Sequence, residues 1–122
     1  MATEPKAHET KPVLAADGHT TLGFCEVKKY RRSSGQPLKE IIIRDTAMTC
    51  VATIYVYKLH SRVHCGSLAV EGQPVDSKLA VDIARAALEY GQDAQTTLKS
   101  ILEAAQRLSL PRQQSSQGKV LD

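Results

Sequence analysis

The sequence predicts an α+β fold: a four-stranded antiparallel sheet, then one long bent helix or two consecutive helices at the C-terminus. Two observations support this prediction. Between about residues 20 and 70, apolar residues alternate with polar ones, as in strands, whereas further along the chain they recur every three to four residues, as in helices. Strands followed by helices are typical of α+β domains, and short connections between the strands favour antiparallel pairing.

The chain length allows one domain with one modest core, since it has 122 residues. The hydrophobic residues make up 42% but are mostly aliphatic, with a single Phe and no Trp, which predicts a thin, two-layered core. Residues 1–19 and 111–122 combine proline, glycine and charges without apolar periodicity. We therefore predict disordered tails there and a single domain over residues 20–110.

Four segments have the pattern of strands. Residues 20–32 and 38–44 form a predicted hairpin, because residues 33–37 (SSGQP) supply the turn and the second segment contains three consecutive isoleucines. Residues 51–59 alternate most regularly and predict the third strand, and residues 63–70 predict the fourth.

The helical part follows Gly72, with Asp76 or Ser77 as the predicted cap. Its inward positions are expected at Leu79, Ile83, Ala86, Tyr90, Ala94, Thr97 or Leu98, Ile101, Ala105 and Leu108. One continuous helix would span about 50 Å, twice the roughly 26 Å of an eight-residue strand. Residues 91–93 (GQD) are typical of a helix end followed by a new cap, so we predict a break or bend at Gly91.

Charge divides the domain into a basic and a slightly acidic part. Residues 22–62 hold eight basic and three acidic side chains, and residues 71–110 hold four and six. Cations on both sides of the predicted hairpin turn suit phosphate contacts, and sheet tyrosines suit base stacking. The predicted nucleic-acid-binding residues are Lys28, Lys29, Tyr30, Arg31, Arg32, Lys39, Arg44, Tyr55, Tyr57, Lys58 and Arg62.

The leading hypothesis is a small non-enzymatic protein that binds single-stranded DNA or RNA. An alternative is an adaptor or regulatory protein that captures a partner protein through its sheet edge or helical stripe, and an acidic protein surface is a further possible partner. A basic edge hairpin also resists edge-to-edge pairing, and tyrosines often complete a sheet's core, so these residues have a purely structural interpretation too.

The helical stripe predicts a homodimer. Its alanines allow a second helix to approach closely, and its larger apolar residues exceed what one small sheet obviously covers. The predicted dimer interface consists of Leu98, Ile101, Leu102, Ala105 and Leu108, and the alternative is that this stripe only covers the chain's own sheet.

Catalytic and metal-binding patterns are weak. Cys50, His60, His64 and Cys65 most resemble a metal set, but His64 and Cys65 point to opposite faces of any strand and no Cys-x-x-Cys pair supports zinc. We predict no catalytic residues, no metal and no cofactor.

The cysteines and the N-terminal sequence bear on localisation. Three isolated cysteines in apolar stretches predict buried, reduced thiols. Neither a signal peptide nor a spanning segment is evident, so we expect a cytoplasmic protein without membrane contact.

Overall fold

A computed structural model describes residues 7–30, 37–91 and 93–109. Six strands form one antiparallel sheet in chain order: β1 Ala7–Leu14, β2 Thr21–Lys29, β3 Lys39–Asp45, β4 Cys50–Val56, β5 Ser61–Cys65 and β6 Leu68–Gly72. A 3₁₀ turn, Ser77–Leu79, leads into the helices α1, Ala80–Tyr90, and α2, Ala94–Ser109. Each strand neighbours the next, so the sheet is a simple meander.

The α+β class, the antiparallel sheet and the two C-terminal helices are confirmed, but the expected number of four strands is wrong. One additional strand, β1, lies within residues 1–19, where we predicted a disordered tail. It is an edge strand in which Val13 alone is buried among the described side chains, so it lacks apolar alternation. The predicted strand 63–70 is two strands, because the chain turns at Gly66 and Ser67 with Gly66 in the left-handed region at φ 60°.

The helices cover one face of the sheet: α1 packs on β1 to β3, and α2 packs on β4 to β6. We call the other side, which no described helix covers, the open face. The core between sheet and helices is aliphatic, and its most deeply buried members include Val13, Cys25, Ile41, Ile43, Ile54, Cys65, Ile83 and Ile101. Of the expected inward positions, Tyr90 is wrong: it is 64% exposed, since it is the last residue of α1.

The predicted break at Gly91 is confirmed, and glycine is needed there because a side chain does not fit rather than because the backbone is left-handed. Gly91 has an extended backbone, φ −79° and ψ 120°, instead of a left-handed one. A Cβ atom at this position would lie 2.2 Å from Thr97 Oγ1 and 2.5 Å from the Ala87 carbonyl oxygen. The second helix starts after Asp93, whose Oδ1 accepts a 2.8 Å hydrogen bond from the Thr96 N–H.

The three cysteines are free, and their burial differs from the prediction at one position. Cys25 and Cys65 are buried, and burial raises the pKa of each thiol to about 11. Cys50 is exposed at the start of β4.

Among the described residues, neither helix has the length and hydropathy needed to cross a bilayer.

Candidate nucleic-acid interface

Cations collect at one end of the sheet, where β2 and β4 finish and β3 and β5 begin. This basic end comprises Lys28, Lys29, Lys39, Lys58 and Arg62. The carboxylates near it are Glu40, Glu71 and Asp76, whereas Asp17, Asp45 and Asp93 lie at the opposite end of the strands. Cations therefore outnumber these carboxylates at the basic end.

Two lysines face each other across neighbouring strands at the basic end. Lys29 of β2 is the register partner of Lys39 of β3, and partners in an antiparallel pair project from the same face. Their Cβ atoms are then about 4.5–5.5 Å apart, and like charges in this relation are destabilising. Neither lysine forms an ion pair with a described carboxylate; Lys39 Nζ instead donates to Ser77 Oγ at 3.0 Å.

The neighbouring lysine has the opposite electrostatic environment. Lys28 is the register partner of Glu40 on the open face, so an opposite charge lies across the strand pair, although the two side chains form no described ion pair and Glu40 accepts a hydrogen bond from Tyr30. The charge of Arg62 is offset, since its guanidinium donates to Glu71 Oε2 at 2.8 Å. This contact holds the pKa of the Glu71 carboxyl below its ordinary value.

Aromatic rings accompany the cations. The Tyr57 and His60 rings stack with centroids 4.6 Å apart and planes 10° from parallel, on either side of the β4–β5 turn. The turn itself presents Lys58 and Leu59, and Leu59 is 81% exposed. This hairpin tip thus combines a partly exposed ring pair with a cation and an apolar side chain.

The other two tyrosines are engaged within the sheet. The Tyr30 hydroxyl donates to Glu40 Oε1 at 2.7 Å, and burial together with that carboxylate raises the pKa of Tyr30 to about 12. Tyr55 meets His64 edge to face, with centroids 5.3 Å apart. These contacts fix both rings in place on the open face.

The structure separates Arg44 from the other described residues that the sequence grouped together. Arg44 lies towards the opposite end of β3, where it contacts the buried carboxylate of Glu26, which also contacts His8. The sequence did not predict this cluster, because His8 belongs to the unpredicted strand β1 and the residues around Glu26 in the sequence do not indicate that it is buried. Arg31 and Arg32 lie outside the described residues, between Tyr30 and β3 in the sequence.

The described residues contribute nothing to the protein's net charge. Among the described residues, lysines and arginines equal aspartates and glutamates in number, so the net charge of +3 comes from residues outside them. The basic character of the described part is therefore a matter of distribution, in which cations are placed at one end of the strands.

The residues that resembled a metal set are not brought together. His64 lies on the open face, Cys65 is buried beneath α2, and Cys50 is at the other end of β4 from the His60 turn. No group of three metal-binding side chains occurs among residues 7–30, 37–91 and 93–109.

The residues of the predicted dimer interface cover the chain's own sheet. Leu98 and Ile101 belong to the core, with 8% and 0% exposure, and Leu102, Ala105 and Leu108 are partly buried against it. Ile101, Leu102 and Ala105 also line a cleft of about 320 Å³ beside Gly72 and Val75. Dimerisation itself stays a prediction, and two of the five residues are already buried within one chain.

No protein-family model, curated protein or solved structure matches this chain.

Proposed function

We propose that the protein binds single-stranded nucleic acid at the basic end of its sheet, as a binding protein without a catalytic step. The Lys29–Lys39 pair is the observation that carries the proposal. A cross-strand pair of like charges lowers the stability of the free protein. Locally destabilising residues of this kind are expected at ligand-binding sites, because there they contribute to binding. A phosphate between the two ammonium groups converts their repulsion into two attractive contacts.

The hairpin tip adds a reason to favour nucleic acid over an acidic protein surface. Single-stranded chains offer phosphates and unstacked bases together, and proteins that bind them combine cations with aromatic stacking surfaces. Here Lys58 lies in the turn that the stacked Tyr57 and His60 rings flank. The lysine pair lies on the helix-covered face and the ring pair on the open face, so a nucleic-acid strand that places a phosphate at the first and a base on the second passes around the basic end of the sheet.

The test is the salt dependence of binding to a fluorescently labelled 20-nucleotide oligo(dT), measured by anisotropy between 50 and 200 mM NaCl. We expect micromolar affinity in low salt and a log–log slope of about −2, since three phosphate contacts on a single strand contribute about 0.7 each. Changing Lys29, Lys39 and Lys58 together to Ala should bring the slope close to zero.

Lys99→Ala is the matched control, because Lys99 is exposed on α2 and forms no ion pair with a described residue. This variant should bind like the wild type. A folded triple variant that binds as tightly as the wild type would refute the site. Displacement of the oligonucleotide by polyglutamate as readily as by unlabelled oligo(dT) would refute the assignment to nucleic acid and favour an acidic protein partner.

A further inference from the structure

The outer edge of β6 lacks the features that protect sheet edges. At the other side of the sheet, β1 carries Pro12, which has no N–H to donate, and the charged Glu9 and Lys11. The sequence of β6 is LAVEG, without proline or lysine, and no described strand pairs with its outer edge. Such an edge is a template for pairing with another strand.

The hairpin turn fixes which groups of β6 face outward. Cys65 and Leu68 flank a two-residue turn, and residues in that position form a hydrogen-bonded pair. Because hydrogen-bonded and non-bonded pairs alternate, Leu68, Val70 and Gly72 direct their backbone groups towards β5. Ala69 and Glu71 therefore direct their N–H and C=O groups away from the sheet.

The residues of β6 are complementary in size about its central residue, with a large side chain on one side and none on the other. Leu68 and Gly72 lie on the helix-covered face, as their partners Cys65 and Ser61 do, and they are equally distant from Val70. Leu68 is 38% exposed, although it is apolar. Gly72, which has no side chain, lies at the cleft of about 320 Å³ that α2 closes from the other side.

We propose that two copies of this chain pair edge to edge through β6, antiparallel and centred on Val70. The outward N–H and C=O groups of Ala69 then form hydrogen bonds with those of the second copy's Glu71. By symmetry, Glu71 pairs in the same way with the second copy's Ala69. Leu68 of each copy comes to lie opposite Gly72 of the other, in a non-bonded pair whose side chains approach closely. Its side chain enters the cleft beside Leu102, so an exposed apolar residue and the cleft become buried together.

This arrangement has no electrostatic obstacle. Glu71 lies opposite the second copy's Ala69 and keeps its own ion pair with Arg62. Both helix layers stay on the same side of a continuous twelve-stranded sheet, because paired residues share a face. The interface is isologous, as in most homodimers.

Sedimentation velocity between 5 and 100 µM tests the proposal, with a dimer expected for the wild type. Ala69→Pro removes an outward N–H but no hydrogen bond to β5, so the fold should survive while Kd rises about 30-fold for the two bonds lost. The matched control is Ala69→Val, which keeps the N–H and should stay dimeric. A monomeric wild type, or a folded Ala69→Pro variant whose Kd equals that of the wild type, would overturn the proposal.

A second pair of variants tests the role of the cleft. A Cβ at Gly72 lies 3.8 Å from Leu102 Cδ2, an ordinary contact, and the rest of a leucine side chain has the cleft to occupy, so Gly72→Leu should fold but prevent entry of the second copy's Leu68. Adding Leu68→Gly to Gly72→Leu should restore the dimer, since the large and small residues are then exchanged. Dimers of equal affinity in the wild type and in Gly72→Leu would show that the copies associate elsewhere.

Discussion

The cross-strand lysine pair gives an expectation that binding data alone do not provide: Lys29→Thr should weaken nucleic-acid binding and stabilise the free protein. Threonine suits a strand, so the change removes mainly the charge. For two charges about 6–8 Å apart, Coulomb's law in water gives a repulsion of about 0.5–0.7 kcal/mol. This value falls within the range of about 0.2–1 kcal/mol for cross-strand pairs.

The expected change in thermal stability follows from the size of the domain. In a domain of this size, 1 kcal/mol shifts the midpoint of unfolding by about 4–8 °C, so Lys29→Thr should raise Tm by about 2–5 °C. The gain should disappear in 1 M NaCl, where the screening length is only about 3 Å. The slope of log affinity against log salt should become shallower by about 0.7, corresponding to one phosphate contact.

Lys28 provides the control, because it lies opposite a carboxylate where Lys29 lies opposite a lysine. Lys28 lies opposite Glu40, so Lys28→Thr removes an attractive pair and should lower Tm in low salt. Circular dichroism melts of both variants at 50 mM and 1 M NaCl measure the contrast. If Lys29→Thr destabilises the protein in low salt, or if both variants shift Tm equally, the lysine pair is not under electrostatic strain and the main support for the site is lost.

Three further outcomes are expected from the fold. Gly91→Ala should destabilise the protein by about 1–3 kcal/mol in urea unfolding, because its Cβ would overlap backbone and side-chain oxygens, and a loss below 0.5 kcal/mol would mean that the helix junction relaxes freely. Burial by itself raises the pKa of Glu26, but hydrogen bonds and charge from Arg44 and His8 outweigh it and hold the pKa below its ordinary value. The resulting stabilisation is complete above the unfolded pKa of about 4.3 and disappears as pH falls through the folded value, so Glu26→Gln should be less stable than the wild type at pH 7 and approach it below about pH 4 in pH-dependent melts. Ile101→Asp should abolish folding, as seen by circular dichroism, because Ile101 is fully buried in its own chain, whereas Leu108→Asp at the margin should leave the protein folded.

Periodicity predicted the parts of this fold whose burial is strong and local. The alternation of β4 and the helical spacing of Ile83 and Ile101 are visible in the sequence because each of these elements places one face in the core, and β3 is visible from its three consecutive buried isoleucines. Edge strands have no such signal: β1 buries Val13 and otherwise faces solvent or a neighbour. Gly91 was identified correctly as a break, but the oxygens that exclude a side chain there come from two different helices, which a local pattern does not show.

The candidate site was predictable in composition but not in arrangement. Lys28 and Lys29 are adjacent in sequence and therefore project from opposite faces of β2, one opposite a carboxylate and the other opposite a lysine. That difference depends on the register between β2 and β3, which the sequence of either strand leaves open. The same holds for Arg44, whose charge is offset by a glutamate and a histidine from two other strands.

The proposed dimer and the proposed binding site constrain each other. Antiparallel pairing through β6 reverses the strand direction between copies, so the two basic ends lie at opposite ends of the twelve-stranded sheet. A short oligonucleotide bound at one basic end does not reach the other, and each copy binds independently. We therefore expect Ala69→Pro to leave the affinity for an eight-nucleotide oligo(dT) within a factor of two of the wild type, with one oligonucleotide per chain in both. A tenfold loss of affinity in this variant, with its fold intact, would mean that both copies contact one strand of nucleic acid, and an edge-to-edge dimer through β6 does not permit that arrangement.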